Sequence, residues 1–362
     1  MNPNEHQLQY PWGDAQPEAG TSQTVADGVK WIRMPLPFAL DHINLWLLRD
    51  EIDGRQGWTI VDCGISREEV KTLWNQVFES QLEGLPVLRV IVTHMHPDHV
   101  GLADWLCERW NAPLWMSMTD YVTACLWCSD KSGSGPNGEA AVRHFARHGM
   151  TDPESLEQIR QRTGYFINLV PSMPRSYVRL LHGDTVRIGA NQWQVIVGYG
   201  HAPEHVSLYS DALRVLISGD MVLPRISTNV SVYDQEPEAD SLTLFLDSLK
   251  KYLPLPEDTL VLPSHGKPFT GLHERIQQLQ DHHRDRLDEV RAACREKPCS
   301  GADILPVLFP RALDLHQTTF AMGEAVAHLH WLWMAGELVR EQDAAGVWRF
   351  SPASRRAAPR QA

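Results

Sequence analysis

Short apolar runs recur along the first two thirds of the chain, and their length and composition are typical of strands. One of them, residues 87–92, contains a single charged residue, Arg89, among valines, leucine and isoleucine, and it predicts a buried strand. The runs that predict strands lie at residues 29–34, 43–48, 57–64, 87–92, 112–116, 184–188, 192–197, 215–220 and 259–262.

Other segments carry apolar residues at helical spacing. In the first of them, Val70, Trp74 and Val77 fall on one face. A helical and irregular stretch at about 119–178 contains a loop rich in helix breakers at 130–138, which indicates an insertion between strands. The segments that predict helices are residues 67–78, 102–110, 139–148, 153–168, 242–249, 272–290, 304–308 and 318–334.

The predicted strand at 87–92 runs directly into Thr-His-Met-His-Pro-Asp-His at residues 93–99. Neutral imidazole and carboxylate are ligands for Zn²⁺, Fe or Mn, and catalytic sites keep a position open for water. A polar surface turn is the alternative, but three histidines and one aspartate within six residues are too dense for that interpretation. The stretch therefore predicts a metal site.

The order of the four side chains suggests two ions. His94 and His96 are two residues apart on an extended segment, so they can point to one side and share an ion. Asp98 and His99 follow Pro97, where the chain turns, and they are better placed for a second ion.

His-x-His-x-Asp-His after a strand resembles the signature of the metallo-β-lactamase-fold hydrolases. Over residues 25–290 the resemblance implies an α+β fold, an αββα sandwich of the metallo-β-lactamase type with a helical insertion. Gly-His-x-Pro-x-His at residues 200–205 is similar to the third ligand loop of the hydroxyacylglutathione hydrolase (glyoxalase II)-like branch. In that pattern, three later strand ends supply further ligands: His201, Asp220 and His265.

The resemblance implies seven ligands for two divalent ions, all in loops that follow strands. Zn²⁺ is the expected metal, with Fe or Mn as alternatives. One ion is assigned His94, His96 and His201, the other Asp98, His99 and His265, with Asp220 shared between them.

Two further residues near these loops have open roles. Asp62 ends a strand where relatives place an acid near the metal loop, so it either orients a ligand or only occupies a turn. His205 lies in the ligand-loop pattern, and we expect it to hold the loop rather than to bind an ion.

Composition narrows the class of protein. The chain has 362 residues, is 43% hydrophobic and carries a net charge of −12, which argues against general affinity for nucleic-acid backbones. The N-terminus lacks a basic and apolar leader, and no apolar run approaches a membrane span, so we expect a cytoplasmic protein with no membrane association. Cys125 and Cys128 have a suggestive spacing, but no second pair completes a zinc site, and helix packing explains them better.

The predicted domain plan has four parts. Three helices and a β-hairpin after residue 271 resemble the winged-helix domain that is appended to some members of this superfamily. The helix at 318–334 contains no Lys or Arg, so we expect a packing or dimerising role rather than DNA binding, and a homodimer stays open. The parts are a flexible arm at 1–22, the metallo-hydrolase domain at 23–290, the winged-helix-like domain at 291–352 and a disordered tail at 353–362.

A dinuclear site of this kind predicts a hydrolase, in which two ions lower the pKa of a shared water so that hydroxide attacks carbon or phosphorus. Asp98 and Asp220 are the predicted catalytic residues, and Asp98 can also orient the nucleophile or pass a proton to the leaving group. The resemblance and the acidic charge favour a small thioester or ester. The alternatives are a phosphodiesterase or single-strand endoribonuclease, and a metal-containing binding protein with little turnover.

Overall fold

A computed structural model of the chain describes residues 2–129, 138–162 and 164–353. The described residues form two compact units. The predicted tail beyond residue 353 and most of the predicted loop at 130–138 lie outside the described residues. Unit 1 comprises residues 2–129, 164–228 and 247–279, and unit 2 comprises residues 138–162, 229–246 and 280–353.

Unit 1 contains two β-sheets. In the described residues the first has seven strands in the order β1-β2-β3-β4-β5-β6-β7, and the second has five in the order β12-β11-β10-β9-β8. The strands are β1 (Gln23–Ala26), β2 (Val29–Pro35), β3 (His42–Ile52), β4 (Arg55–Val61), β5 (Val87–Ile91), β6 (Leu114–Met116), β7 (Tyr177–Arg179), β8 (Thr185–Ile188), β9 (Asn191–Gly198), β10 (His205–Ser210), β11 (Val215–Gly219) and β12 (Leu260–Pro263).

Most helices overlap the predicted segments, whereas those at Pro97–Val100 and Met118–Ser129 have no separate counterpart among them. Short 3₁₀ turns also occur at Glu5–Gln7 and Lys250–Tyr252. The helices are α1 (Glu68–Ser80), α2 (Pro97–Val100), α3 (Ala103–Trp110), α4 (Met118–Ser129), α5 (Gly138–Arg147), α6 (Pro153–Gln161), α7 (Tyr165–Leu169), α8 (Ser241–Leu249), α9 (Leu272–Glu296), α10 (Gly301–Leu308) and α11 (Leu315–Met334).

The two sheets of unit 1 enclose one apolar layer. Trp31 and Trp46 from the first sheet and Trp193 from the second are buried in it. The other face of the first sheet packs against α1 and α3, which bury Trp74 and Leu106. The predicted α+β sandwich is therefore observed, and it places the ends of strands from both sheets at a common edge.

Unit 2 is mostly helical. A small apolar core includes Phe145, Ile159 and Met322, from α5, α6 and α11. A hairpin of β13 (Leu338–Gln342) and β14 (Trp348–Pro352) follows α11, as predicted. The likeness of residues 291–352 to a winged helix and the four-part domain plan stay predictions.

Three predicted details are wrong. The single helix expected at 153–168 is two helices, α6 and α7, and Gly164 between them has a left-handed φ of 80°, which interrupts helical geometry. Asp98 and His99 lie on the one-turn helix α2 rather than in a loop, because Pro97 suits the first position of a helix. The strands β1, β7 and β10 were not expected. Of these, β1 is only four residues long and β7 only three.

The segment before β1 contacts unit 1 at several points. Leu8 is buried, Gln9 pairs with Thr270, and the Asn2 side chain donates a 3.0 Å hydrogen bond to the Pro224 carbonyl. The flexibility of this arm stays a prediction. Within the part of the chain that the structure describes, no helix combines the length and the apolar character that crossing a membrane requires.

Candidate metal centre

The first group of candidate ligands joins the two sheets. His94 and His96 follow β5, and His201 follows β9 of the other sheet. His94 Nε2 lies 2.8 Å from His96 Nδ1 and 3.2 Å from His201 Nε2, and the last two nitrogens are 3.1 Å apart. Three imidazole nitrogens therefore converge on one point.

The second group lies beside the first. His265 follows β12, and Asp98 and His99 lie on α2. Asp98 Oδ2 is 3.4 Å from His265 Nε2 and 3.7 Å from His99 Nε2. These three side chains form a second set that could hold an ion.

Asp220 stands between the two groups, directly after β11. Its Oδ2 lies 3.3 Å from His201 Nε2, in the first group, and its Oδ1 lies 3.5 Å from His265 Nε2, in the second. Oδ2 also lies 3.6 Å from His99 Nε2, so the carboxylate reaches both groups, which is the geometry that a shared ligand requires. The seven residues predicted from the sequence are all brought together.

A metal ion fits this donor set better than hydrogen bonding does. Each nitrogen of a neutral imidazole carries either one proton or one lone pair, so at least two of three mutually close ring nitrogens are alike and cannot hydrogen-bond to each other. Nitrogens bound tetrahedrally at zinc–nitrogen distances would be about 3.3 Å apart, close to the spacing in the first group. Within the described residues, His99 Nε2 and Asp220 Oδ1 are buried without a hydrogen-bond partner. No cysteine belongs to either group.

The two groups differ in their electrostatics. Burial and the neighbouring imidazoles hold the pKa of His94 well below its usual range and lower the pKa of His96 to about 3. Burial alone would also lower the pKa of His265, but the carboxylates of Asp220 and Asp98 outweigh it and raise that pKa to about 10. The pKa of His99 is likewise raised, against burial, by Asp62, Asp98 and Asp220.

Asp62 orients a candidate ligand, a role that the sequence alone had left open. Its Oδ2 accepts a 2.8 Å hydrogen bond from His99 Nδ1 and a 2.9 Å bond from the Thr93 hydroxyl, and its Oδ1 accepts one from the Thr93 N–H. This arrangement directs His99 Nε2 toward Asp220, and carboxylates commonly fix metal-binding imidazoles in this way. Thr93, which sequence reasoning missed, also lies 3.0 Å from His94 Nδ1.

The loop that carries His265 is fixed by the start of β3. His265 Nδ1 donates a 2.8 Å hydrogen bond to the His42 carbonyl, and the His42 ring accepts one from the Gly266 N–H. The Asn44 side chain donates to the carbonyls of Pro263 and Gly266. Nothing in the spacing of His42 and Asn44 relative to the motifs pointed to these roles.

His205 supports Asp220 and belongs to neither ligand group. Its Nε2 accepts a 3.0 Å hydrogen bond from the Asp220 N–H. Gly219 makes this possible, because it has a φ of 54° and a Cβ there would lie 2.3 Å from His205 Nε2. His205 begins β10, so its position is set by pairing with β9.

Asp120 on α4 connects the two loops of the first group, and no sequence pattern pointed to this role. Its carboxylate accepts hydrogen bonds from the Met95 N–H at 2.8 Å and from the Glu204 N–H at 2.6 Å. Burial raises its pKa to about 6. Since Met95 lies between His94 and His96, and Glu204 lies in the loop of His201, this carboxylate fixes the spacing of three ligands.

Replacing Asp120 with Asn should weaken the first group's hold on a metal ion by about 10- to 100-fold, the usual cost of losing an outer-shell partner. An amide offers one acceptor oxygen, so its NH₂ would face at least one of the backbone N–H donors. Competition against a chelator measures the change. Asp27→Asn, in the exposed turn after β1, is the control, and equal affinities for the two variants would contradict the role of Asp120.

Two family models match the chain. The model of the metallo-beta-lactamase superfamily matches residues 40–265, more than half of the chain, and that of the metallo-beta-lactamase-like C-terminal domain matches residues 287–353. Six of the seven candidate ligands lie inside the first match and the seventh, His265, is its last residue.

Individual proteins agree with these models. The solved structure of a beta-lactamase domain protein from Burkholderia ambifaria is 59% identical, covers 96% of this chain and 99% of its own, and superposes with a TM-score of 0.91. The probable metallo-hydrolase YqjP of Bacillus subtilis is 23% identical over 82% of this chain and 90% of its own length. The hydroxyacylglutathione hydrolase GloC of Haemophilus influenzae is 24% identical over 60% of this chain and 84% of its own length.

Proposed function

This chain belongs to the metallo-beta-lactamase superfamily, and from that membership and the geometry of its ligand groups we propose that it is a dinuclear metal-dependent hydrolase of thioesters or esters. The observation that carries the proposal is the position of Asp220, whose two oxygens face two neighbouring sets of imidazoles. We propose Zn²⁺ in both sets, with Fe or Mn as alternatives, because all seven donors are imidazole or carboxylate.

The first set, His94, His96 and His201, would hold one ion, and the second, Asp98, His99 and His265, would hold the other. When bound, the ions supply Lewis acidity, which activates a water and polarises the substrate carbonyl. Asp62 keeps a proton on His99 Nδ1, so that Nε2 is the ring nitrogen that would bind the ion.

Substrate would approach from the side of His96 and Asp98, the two candidate ligands that are only partly buried. His94 and His99 are fully buried, whereas the Asp98 side chain is 19% exposed, more than that of Asp220 or His265. Asp98 Oδ2 is therefore placed to orient the attacking water and to carry a proton to the leaving group. A thiolate or alkoxide leaving group would receive that proton as the acyl bond breaks.

Two observations support an acyl substrate over a phosphodiester. GloC, whose name states a hydroxyacylglutathione substrate, is a distant relative of this chain. The net charge of −12 also opposes the binding of a polyanion. Fold membership does not choose between these substrates, because specificity is a property of the pocket.

Metal analysis combined with paired assays tests the proposal. We expect about two metal ions per chain, the count of a dinuclear site, and hydrolysis of acyl-thioesters that is lost on chelation and restored by metal. Phosphodiester cleavage at the same metal content would replace the acyl substrate with the alternative. A chain that binds no metal after purification in metal-replete buffer would contradict the ligand assignment.

Metal binding should depend on pH differently in the two sets. At pH 7 His94 and His96 are neutral and ready to bind, whereas His99 and His265, with their raised pKa values, carry protons that an ion must displace. Between about pH 6.5 and 8.5, His265 stays protonated in the metal-free protein because its pKa is about 10. Raising the pH through this range should therefore strengthen binding of the second ion about tenfold per pH unit for each displaced proton. The first ion should respond far less.

Chelator competition at several pH values resolves the two binding steps. His265→Ala, which removes one proton-carrying ligand of the second set, should leave only the step with the shallow pH dependence. Two steps of equal slope in the unaltered protein would contradict this difference between the sets.

A further inference from the structure

A cavity of about 330 Å³ lies beside His265 in unit 1. That volume is at the lower end of the range for small-molecule sites. Its lining contains three cationic side chains, Arg33, Arg225 and Lys267, and one carboxylate, Glu5. The cavity is therefore cationic in a chain whose net charge is −12.

Arg33 is the cation with the most unused hydrogen-bonding capacity. It lies on β2 with its side chain 20% exposed, and its guanidinium contacts Asp41 at 3.8 Å, beyond hydrogen-bond distance. Among the residues that the structure describes, the side chain donates no hydrogen bond. A guanidinium has five N–H donors in a planar fork that suits carboxylate and phosphate oxygens.

The other two cations have partners that an anion could replace or join. Lys267 Nζ contacts Asp14 at 2.6 Å, and the Asp14 side chain is fully exposed, so this pair is weak. Arg225 Nε lies 3.3 Å from Glu5, whose other oxygen accepts a hydrogen bond from the Tyr10 hydroxyl. Glu5 thus partly neutralises one wall of the cavity.

The cavity adjoins the proposed reaction site at His265. His265 and Gly266 line it, and His265 Nε2 faces Asp98 and Asp220. Lys267 is two residues beyond His265. A molecule of a few carbon atoms that is held by Arg33 and Lys267 could therefore present a second group to the metal ligands.

We propose that this cavity binds the negatively charged end of the substrate, a carboxylate or a phosphate, while the acyl bond to be cleaved lies at the metal ligands. The inference rests on the proposed function for the reaction, but the anion site itself depends only on the three cations. It narrows the substrate class to short acyl esters or thioesters that carry an anionic group.

Direct binding tests the anion site without turnover. The metal-loaded protein is titrated calorimetrically with succinate and, separately, with inorganic phosphate. Arg33→Met and Lys267→Met should each weaken binding about tenfold, the loss of one charge-assisted contact. Glu5→Gln, which keeps a side-chain acceptor for Tyr10, should strengthen it. Lys250→Met is the matched control, since Lys250 also forms a 2.6 Å exposed ion pair, with Asp247, away from the cavity.

Kinetics then links the cavity to the substrate. An acyl-thioester with a terminal carboxylate is compared with the matching thioester whose terminal group is a neutral carboxamide. Arg33→Met should raise KM about tenfold for the charged substrate, leave kcat nearly unchanged and have little effect on the neutral one, whereas Glu5→Gln should lower KM for the charged substrate. Stronger binding of succinate than of phosphate would assign the site to carboxylates, and the reverse order would assign it to phosphates.

The outcomes separate the two proposals. Anion binding that Arg33→Met, Lys267→Met and Glu5→Gln all leave unchanged would overturn the proposed anion site, because it would place the anions at the metals alone. Anion binding could instead be lost in Arg33→Met and Lys267→Met while the unaltered protein hydrolyses neither thioester. That result would support the proposed anion site and overturn the proposed reaction.

Discussion

Asp220→Asn is expected to lower kcat/KM by about a thousandfold or more, since even the loss of an outer-shell partner usually costs about 10- to 100-fold. The substitution keeps the size of the side chain but removes the negative charge between His201 and His265. One of the two oxygens becomes an NH₂ group, which cannot bind an ion, so one set of ligands is left incomplete. Steady-state kinetics and metal content, measured on the same preparation, check the result.

The control for this prediction is Asp247→Asn. Asp247 is an exposed aspartate that pairs with Lys250 and lies away from the ligand groups. We expect this control to retain the unaltered rate and metal content. Asp220→Asn with unaltered rate and two bound metals would refute the shared-ligand assignment, whereas loss of metal without loss of rate would show that the ions are not catalytic.

Arg89→Met is expected to lower the free energy of unfolding by about 3 to 5 kcal/mol, the usual cost of leaving one partner of a buried ion pair uncompensated. Arg89 on β5 donates to Asp50 on β3 through Nε at 2.9 Å and through Nη2 at 3.1 Å, and both side chains are buried. Asp50 also accepts from the Thr59 hydroxyl and, across to the second sheet, from the Gly189 N–H. The substitution would therefore leave the buried carboxylate of Asp50, which joins both sheets, without its cationic partner.

Urea denaturation of the metal-free protein measures this change without a contribution from bound ions. The double variant Asp50→Asn/Arg89→Met should lose less than the sum of the single losses, because neither charge is then left alone. Arg49→Met breaks a partly exposed ion pair with Glu83 and should cost no more than about 1 kcal/mol. A similar cost for Arg89→Met would mean that the buried pair contributes little.

The ligand set could be predicted from the sequence because its determinants are local. His94, His96, Asp98 and His99 are adjacent in one stretch, and His201 lies in a motif of its own. Each stretch follows an apolar run whose strand character is also local. Asp220 and His265 could be assigned only through the resemblance, since a single Asp or His after a strand is usually a turn residue.

The supporting residues could not be predicted, because their roles arise from contacts between distant segments. Asp120 is 25 residues from Met95 and 84 from Glu204, and its carboxylate accepts hydrogen bonds from the N–H groups of both. Arg89 stood out as a charge in an apolar strand, but its partner Asp50 is 39 residues away. The cationic cavity likewise collects residues from both ends of unit 1, and no sequence period connects them.

The origin of the ligands in both sheets has a consequence for how the protein is made in the cell. His94 leaves the ribosome 171 residues before His265, an interval of roughly 10 to 30 s at ordinary rates of synthesis of about 5 to 20 residues per second. The first ligand set lacks His201 for much of that time, and the second set lacks His265 for all of it. The complete centre can therefore hold both ions only after His265 has been synthesised, and protein produced in metal-depleted medium should become fully active when metal is added later.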